Sequence, residues 1–219
     1  MDFKKYKDLM ERQIETGDFR ERVFQDNIIR PFLQSLFPEL DIEPVDVKTA
    51  TKKHQYEQYC GYDFVDGKKI IGTPDLCIAE KWFWENKKRS VTYRGIVEIK
   101  SPLLDGITGR EPENYKTHTL DEIRCYLNAT KNSKIILTDG LTWTFYDKGE
   151  YNTPKQITIG KIDVNYRKIK GYKNRLVNEK DDAGDPIIEK IKIELKKEEF
   201  GDLQEELRNF ICGINKTQK

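Results

Sequence analysis

The stretches that decide the fold are KIIGTPDLCIAE (residues 69–80) and VTYRGIVEIKS (residues 91–101). Both are rich in β-branched and apolar residues, which predicts two strands. The intervening KWFWENKKR has the length of a hairpin connection, so we expect the strands to pair as neighbours in one sheet. The first predicted strand contains Pro74-Asp75, and the second contains Glu98-Ile99-Lys100.

These two strands predict a cluster of charged side chains. Alternation along a strand places Glu98 and Lys100 on the same face, and pairing of the strands brings Asp75 beside them. Two neighbouring carboxylates repel each other and are costly to desolvate, so they usually share a cation. Oxygen ligands suit Mg²⁺ or Mn²⁺. The residues therefore predict a metal-assisted phosphodiester hydrolase, and the alternative is a salt-bridge cluster on a solvent-exposed sheet face.

Two amphipathic helices are predicted upstream, because apolar residues recur at helical spacing over residues 2–16 and 19–37. Pro31 should kink the second helix or divide it. DIEPVDVKT (residues 41–49) predicts a strand that Pro44 weakens. The polar residues 51–69 receive no assignment.

Downstream, HTLDEIRCYLNAT (residues 118–130) predicts a helix with Leu120, Ile123 and Leu127 in one stripe. SKIILTDGLTWTFYDKG (residues 133–149) predicts a hairpin that turns at Asp139-Gly140. QITIGKIDV (residues 156–164) predicts one more strand. This order of helices, hairpin, helix and hairpin is typical of a mixed α/β domain.

The composition changes near residue 165. Residues 161–175 hold six basic residues and one acid, whereas residues 176–219 hold 11 acids and 8 bases and include an amphipathic helical pattern. We therefore predict a core over residues 1–165, and over residues 166–219 a basic segment and helical extension packed on the same domain.

The overall composition excludes several classes of protein. With 24 aromatic residues (11 Tyr, 10 Phe and 3 Trp), the 219-residue chain is not predominantly disordered despite 35% charged residues. No stretch approaches the length of a membrane span, and the charged amino terminus predicts no secretory signal. Four scattered cysteines and two histidines predict no zinc site, and free thiols predict a reducing, cytoplasmic location. The net charge of +1 excludes a strongly basic coat but not a local basic groove.

Pro74-Asp75, a gap of 22 residues and then Glu98-x-Lys100 resemble the motif of the PD-(D/E)xK nuclease superfamily. GDFRERVFQDNIIRPFLQSLFPE (residues 17–39) resembles the first helix of the amino-terminal nuclease domain of type I restriction-enzyme motor subunits. DEIRCYLNATKNSKIILTDGLTWTFYD (residues 121–147) resembles their Q-x-x-x-Y helix and the hairpin after it. The resemblance covers about residues 18–147.

The resemblance implies a restriction-endonuclease-like fold, with a mixed central sheet flanked by helices. It also implies a Mg²⁺-dependent DNA endonuclease of restriction or phage defence, whose products carry 5′-phosphate and 3′-hydroxyl ends. Asp75, Glu98 and the main-chain carbonyl of Ile99 would hold Mg²⁺ or Mn²⁺, and Lys100 would orient the attacking water. DNA is then the expected partner, together with a homodimer mate or a separate subunit.

Some residues keep two interpretations. The resemblance makes Glu21 an acid that completes the metal site, whereas Asp18-x-x-Glu21 is also the pattern of a helix capping box. Glu122 occupies the position of the family's glutamine, and with Tyr126 it either supports the metal or substrate, or is a surface acid beside a packing aromatic. Gln25 is predicted to be a surface residue, and His118 a helix-start or loop residue.

Two segments are candidate DNA contacts. The basic run YRKIKGYKNR offers cations that neutralise phosphates, unless it is a solvated loop; its members are Arg167, Lys168, Lys170, Lys173 and Arg175. Trp82 and Trp84, followed by the basic run at residues 87–89, either probe DNA or pack on their own domain. Two other functions remain open: a nuclease-like binding module that cuts little or not at all, and an RNA-directed nuclease.

Overall fold

The computed structural model describes residues 1–45, 57–82, 91–102, 112–149, 152–171, 173, 175–182, 184 and 186–213, with the backbone alone for residue 57 and residues 112–118. The helices are α1 (Phe3–Glu15), α2 (Glu21–Phe24), a π-helical segment (Gln25–Ile29), α3 (Arg30–Leu36), α4 (Glu57–Cys60), α5 (Pro112–Leu127) and α6 (Lys197–Cys212). The strands are β1 (Asp41–Pro44), β2 (Tyr62–Val65), β3 (Lys68–Ile71), β4 (Leu76–Ala79), β5 (Tyr93–Ile99), β6 (Lys134–Thr138), β7 (Thr142–Asp147), β8 (Lys155–Thr158), β9 (Gly160–Tyr166), β10 (Lys168–Lys170), β11 (Leu176–Asn178) and β12 (Ile188–Leu195).

A six-stranded central sheet organises the molecule, with strand order β1-β4-β5-β6-β7-β8. Its neighbouring strands are antiparallel except β5 and β6, which run parallel. A parallel pair needs a crossover connection, and α5 lies in the connection between β5 and β6. The predicted α/β class, with a mixed central sheet flanked by helices, is confirmed.

Three predicted strand features are found. β4 and β5 pair antiparallel, as expected for neighbouring strands. The β6–β7 hairpin turns at Asp139-Gly140, where Asp139 Oδ1 accepts hydrogen bonds from the N–H groups of Leu141 and Thr142 at 2.8 and 2.7 Å. The strand predicted over residues 41–49 is present as β1, which ends at Pro44 and lies at the edge of the sheet, where a residue without an N–H is tolerated. Residues 46–49 lie outside the described residues.

The prediction of one strand over residues 69–80 is wrong. β3 pairs with β2 in a separate hairpin, and β4 begins only at Leu76. Pro74 lies in the break, where it has no N–H to continue a strand ladder. The turn between β2 and β3 is Asp66-Gly67, with φ of 51° and 74°. This Asp-Gly signal lay in the sequence that received no assignment.

The single strand predicted over residues 156–164 is also wrong. β8 pairs with β7 as the last strand of the central sheet, whereas β9 pairs with β12 in a second sheet. The chain passes between the sheets at Gly160, where a Cβ would lie 2.4 Å from the main-chain oxygen of Glu194. The composition boundary near residue 165 falls within β9. Beyond it, β10 and β11 form a two-stranded ribbon.

The second predicted helix, over residues 19–37, is divided close to Pro31 as expected. It consists of α2, the π-helical segment and α3, and the N–H of Arg30 donates to the carbonyl of Gln25 five residues back. Pro31 lies in the first turn of α3, a position that tolerates the missing N–H.

Hydrophobic packing covers both faces of the central sheet. One face packs against α1, α3 and α6, and α6 contributes Phe200, Leu203, Leu207 and Ile211 to that core. The other face packs against α5, through Ile123 and Tyr126. The predicted stripe on α5 is partly wrong, because Leu120 is 53% exposed. No helix among the described residues is long and apolar enough to cross a membrane.

Candidate active site

Asp75 lies immediately before β4 and is tied to the neighbouring strand. Its Oδ2 accepts a hydrogen bond from the main-chain N–H of Ile99, at 2.7 Å, where β5 ends. Burial raises the pKa of this carboxyl to about 6, although the Ile99 N–H and the charge of Lys100 oppose the rise. The carboxylate is therefore held in a place where its charge is costly.

Glu98 points to the face of the sheet that α5 covers. Glu98 is 5% exposed. Oε1 accepts from Lys100 Nζ at 2.5 Å, and Oε2 accepts from the Tyr126 hydroxyl at 2.7 Å. Burial first, and then repulsion by Asp75, raise the pKa of Glu98 to about 8. The side chain is fixed by a donor on each oxygen but lacks enough positive charge to ionise easily.

Lys100 lies between two carboxylates. Its Nζ donates to Glu98 Oε1 and, at 2.8 Å, to Glu122 Oε2. Burial alone would lower the pKa of Lys100, but Glu98 and Glu122 outweigh it and raise the pKa. Glu122 lies one turn before Tyr126 on α5, so both side chains lie on the helix side that meets β5. The surface-acid interpretation of Glu122 is therefore wrong.

Glu21 belongs to the same cluster. It is the first residue of α2, and its negative charge contributes to the raised pKa of Asp75. The capping-box interpretation is wrong, because Arg20 is the N-cap and makes no side-chain cap hydrogen bond. Asp18 instead accepts hydrogen bonds from the main-chain N–H and the guanidinium of Arg20. The helix begins later than a capping box at Asp18 requires.

The cluster carries an excess of negative charge. If all of its members ionise, four carboxylates and one ammonium sum to −4 + 1 = −3; the acids are Glu21, Asp75, Glu98 and Glu122. A salt-bridge cluster on a solvent-exposed face does not describe it, because only 12% of the Lys100 side chain is exposed. Within the described ranges, no group of three or more acidic, histidine or cysteine side chains is arranged to hold a metal ion.

The two interpretations of Tyr126 have different outcomes. Tyr126 is 2% exposed and donates to Glu98 Oε2, so the contact with nucleic acid is wrong and the packing aromatic is confirmed. The prediction for Gln25 is wrong. Gln25 is also 2% exposed rather than a surface residue, and its Nε2 has no hydrogen-bond partner among the described residues. Gln25 begins the π-helical segment, where the helical period used to assign faces no longer applies. The prediction that His118 is a helix-start or loop residue is wrong, because α5 begins at Pro112 and His118 lies six residues into it. The side chain of His118 lies outside the described residues.

The candidate DNA contacts lie in different settings. Trp82 packs edge-on against Tyr93, with ring centroids 5.7 Å apart, which favours packing on its own domain. Residues 84 and 87–89 lie outside the described residues. Residues 168–170 of the basic run YRKIKGYKNR form β10, which pairs with β11 in the ribbon, and the run is exposed at Lys168, Lys170, Lys173 and Arg175. Arg167, beside the ribbon, pairs with Glu179 at 3.8 Å.

No protein-family model matches the chain, and no match is found among curated proteins or among solved structures. The residues that could hold a cation are therefore identified by their chemistry. Asp75 and Glu98 offer carboxylate oxygens, and Ile99 between Glu98 and Lys100 offers a main-chain oxygen. Such an oxygen set is the kind that Mg²⁺ and Mn²⁺ prefer.

Proposed function

We propose that the chain is a Mg²⁺- or Mn²⁺-dependent nuclease that hydrolyses phosphodiester bonds in DNA. The observation that carries the proposal is the buried cluster in which Asp75 and Glu98, both with raised pKa values, lie beside Lys100. Buried acids of this kind are stable as anions only when positive charge is added. One lysine cannot neutralise four carboxylates, whereas a divalent cation supplies the missing charge.

The donor set fits such a cation. Asp75 and Glu98 would hold it together with the main-chain carbonyl of Ile99, and Glu21 would add charge from the start of α2. When bound, the ion would lower the pKa of a coordinated water and offset the charge of the phosphate. The PD-(D/E)xK resemblance of Pro74-Asp75 and Glu98-x-Lys100 supports the same assignment.

The protein's own residues hold and orient the reacting groups. Because its pKa is raised, Lys100 is protonated at neutral pH and acts as a hydrogen-bond donor, not as a base. Its ammonium would orient the attacking water and stabilise the negative charge that develops on the phosphate oxygens. Glu122 holds Lys100 in place, and the Tyr126 hydroxyl holds Glu98. Both are positioning residues.

The resemblance also supports the biological part of the proposal. It favours DNA over RNA, endonuclease activity in restriction or phage defence, and 5′-phosphate and 3′-hydroxyl products. A homodimer mate or a separate subunit is the partner that it favours. The free thiols of the four cysteines support a reducing, cytoplasmic location.

The test is digestion of plasmid DNA, single-stranded DNA and RNA with Mg²⁺, with Mn²⁺ or with EDTA. We expect metal-dependent cleavage of DNA, and a loss of about a thousandfold or more, several kcal/mol of barrier, in Asp75→Asn and Glu98→Gln. Asp121→Asn is the matched control, because Asp121 is an exposed acid next to Glu122 on α5.

Three results would contradict the proposal in different ways. Equal activity of Asp75→Asn and the wild type would show that the cluster is not the active site. Cleavage of RNA but not of DNA would show that the substrate is RNA. Binding of Mn²⁺ and DNA, by calorimetry and gel shift, without cleavage of any substrate would show a binding module.

A further inference from the structure

A cavity of about 570 Å³ adjoins the proposed active site, and Lys100 is one of its lining residues. Its floor is a row of residues that are paired across the central sheet. Glu98 on β5 is opposite Leu137 on β6, Leu137 is opposite Thr144 on β7, and Thr144 is opposite Gln156 on β8. Leu137, Thr144 and Gln156 line the cavity. The cavity floor therefore continues the row that begins at Glu98.

The wall of the cavity comes from the helix that also carries Glu122. Thr119 and Leu120 of α5 line it, and Thr119 lies three residues before Glu122, on the same helix side. Thr119 is 6% exposed, and its Oγ1 has no hydrogen-bond partner among the described residues. A buried hydroxyl without a partner costs free energy unless something binds to it.

The lining combines an apolar surface with a few polar groups. Leu137 and Tyr146 supply apolar area, while Thr119 and Thr144 supply hydroxyls and Gln156 an amide. Gln156 Nε2 donates to Thr144 Oγ1 at 3.1 Å, which fixes both groups at the floor. Such a mixture is typical of small-molecule sites, in which a few polar groups fix the orientation of the ligand.

The distance from the active site suits one nucleotide. Neighbouring strands lie about 4.8 Å apart, so the backbone at Leu137 is about 5 Å from that at Glu98, and the backbone at Thr144 about 10 Å. A phosphate beside Lys100 would therefore place the attached nucleoside over Leu137 and Thr144. A base that is stacked and paired in a duplex cannot enter such a cavity, whereas an unpaired base can.

We propose that this cavity binds the base of an unpaired nucleotide next to the scissile phosphate. The inference rests on the proposed nuclease function and narrows its substrate to DNA that contains an unpaired or readily extruded nucleotide. Leu137 and Tyr146 contact the base through apolar surface, and Thr119, Thr144 and Gln156 hydrogen-bond to its edge.

The test uses a short fluorescein-labelled DNA duplex with a single bulged adenine, the same duplex with an abasic bulge, and the fully paired duplex. Binding is measured by fluorescence anisotropy in EDTA, and cleavage is measured separately with Mg²⁺ and Mn²⁺. We expect the wild type to bind the adenine bulge about tenfold more tightly than the abasic bulge, since contacts to one base are commonly worth about that much or more.

Thr144→Phe fills the cavity and should abolish this tenfold preference without changing binding of the abasic duplex. The matched control is Thr92→Phe, which adds the same ring at an exposed threonine before β5, about 20 Å along the strand from Glu98. Thr119→Val is a milder variant that keeps the shape and removes the hydroxyl. It should reduce the preference several-fold and leave the melting temperature equal or higher, because a buried hydroxyl without a partner is lost.

The two proposals fail in different ways. Equal affinity of the wild type for adenine and abasic bulges would overturn the cavity proposal, even if the protein cuts DNA. A preference that survives in both Thr144→Phe and Thr119→Val would place the base elsewhere and overturn it too. A preference for adenine that these variants remove, without cleavage under any metal, would support the cavity and overturn the nuclease.

Discussion

Two ion pairs in this protein have the same local chemistry and opposite surroundings. In the candidate active site, Lys100 Nζ donates to Glu98 two residues before it, at 2.5 Å; on β12, Lys192 Nζ donates to Glu194 two residues after it, at 2.6 Å. Glu98 is 5% exposed, whereas 44% of the Glu194 side chain is exposed. The pKa of Glu98 is raised by burial, and that of Glu194 is lowered by its hydrogen bond with Lys192.

The comparison shows that burial, and not the pair itself, distinguishes a candidate active site from a surface salt bridge. Around Glu194, water screens the charges, so the pair adds little. Around Glu98, two other carboxylates repel it at short range, and no solvent shell compensates for them. Substitutions in one pair should therefore have effects that the same substitutions in the other pair do not have.

The largest difference is expected for the two lysines. Lys100→Ala should lower kcat by about a hundredfold or more, since it removes the donor to the water and the phosphate, whereas Lys192→Ala should leave kcat unchanged. Mn²⁺ affinity of Lys100→Ala should stay equal or rise, because the ammonium repels a cation. Single-turnover cleavage and calorimetry measure the two quantities. Loss of Mn²⁺ binding in a folded Lys100→Ala protein would assign Lys100 a different role.

The next difference concerns stability against pH in EDTA. Since the pKa of Glu98 is about 8 when folded and near its ordinary 4.5 when unfolded, the folded state binds a proton that the unfolded state has released. The contribution of Glu98 to the free energy of unfolding is therefore complete below about pH 4.5 and is lost as the pH rises to about 8. At about 1.4 kcal/mol per pKa unit, a pKa of about 8 against 4.5 corresponds to a loss of up to about 5 kcal/mol, or about 10–20 °C in melting temperature for a chain of this size.

Two variants make this pH prediction specific. Glu98→Gln should melt higher than the wild type at pH 8 and show a flatter pH profile. Glu194→Gln should leave the slope between pH 5 and 8 unchanged, because the lowered pKa of Glu194 gives a contribution that is lost only as the pH falls. Mg²⁺ at pH 8 should raise the melting temperature of the wild type and not that of Glu98→Gln. Identical profiles for all three proteins would contradict the charge excess at the site.

The charged residues of the candidate site and the hairpin beside it could be predicted from the sequence, but the burial that separates this site from the pair at Glu194 could not. Alternation placed Glu98 and Lys100 on one face, and the hairpin signal at Asp139-Gly140 was local. Burial of the cluster was not predictable from spacing, because it depends on α5 lying over β5 through Tyr126, a contact distant in sequence. The same limit explains why the burial of Gln25 was not predicted. The direction of its side chain depends on a π-helical segment, which does not follow the ideal α-helical period.

A smaller effect is expected at Glu21, which has no counterpart around Glu194. With the capping box excluded, Glu21→Gln should leave the melting temperature within about 1 °C, because no cap hydrogen bond is lost. Its charge reaches Asp75, so we expect a loss of about tenfold in cleavage rate, or about 1.4 kcal/mol of barrier. Asp18→Asn is the control, since Asp18 pairs with Arg20 instead. A native rate with a lowered melting temperature would exclude Glu21 from the metal site.

The smallest effect is expected for substitutions in the β10–β11 ribbon. Its lysines are exposed, as Lys192 is, but the residues opposite them on the partner strand carry no negative charge. Lys168 and Lys170 lie on one ribbon face, about 7 Å apart, opposite Asn178 and Leu176 in the pairing register. If both contact phosphates, the double variant Lys168→Ala/Lys170→Ala should weaken DNA binding only a few-fold at low salt. It should also make the slope of log K against log[salt] shallower by about 2, because each lysine releases about one counterion. The value of kcat at saturating DNA should not change, since the ribbon contains none of the proposed metal ligands.

Lys192→Ala is the matched control for the ribbon variant, because Glu194 already neutralises Lys192. A salt slope equal to that of the wild type would make the ribbon a solvated surface and leave DNA binding to the residues around Lys100.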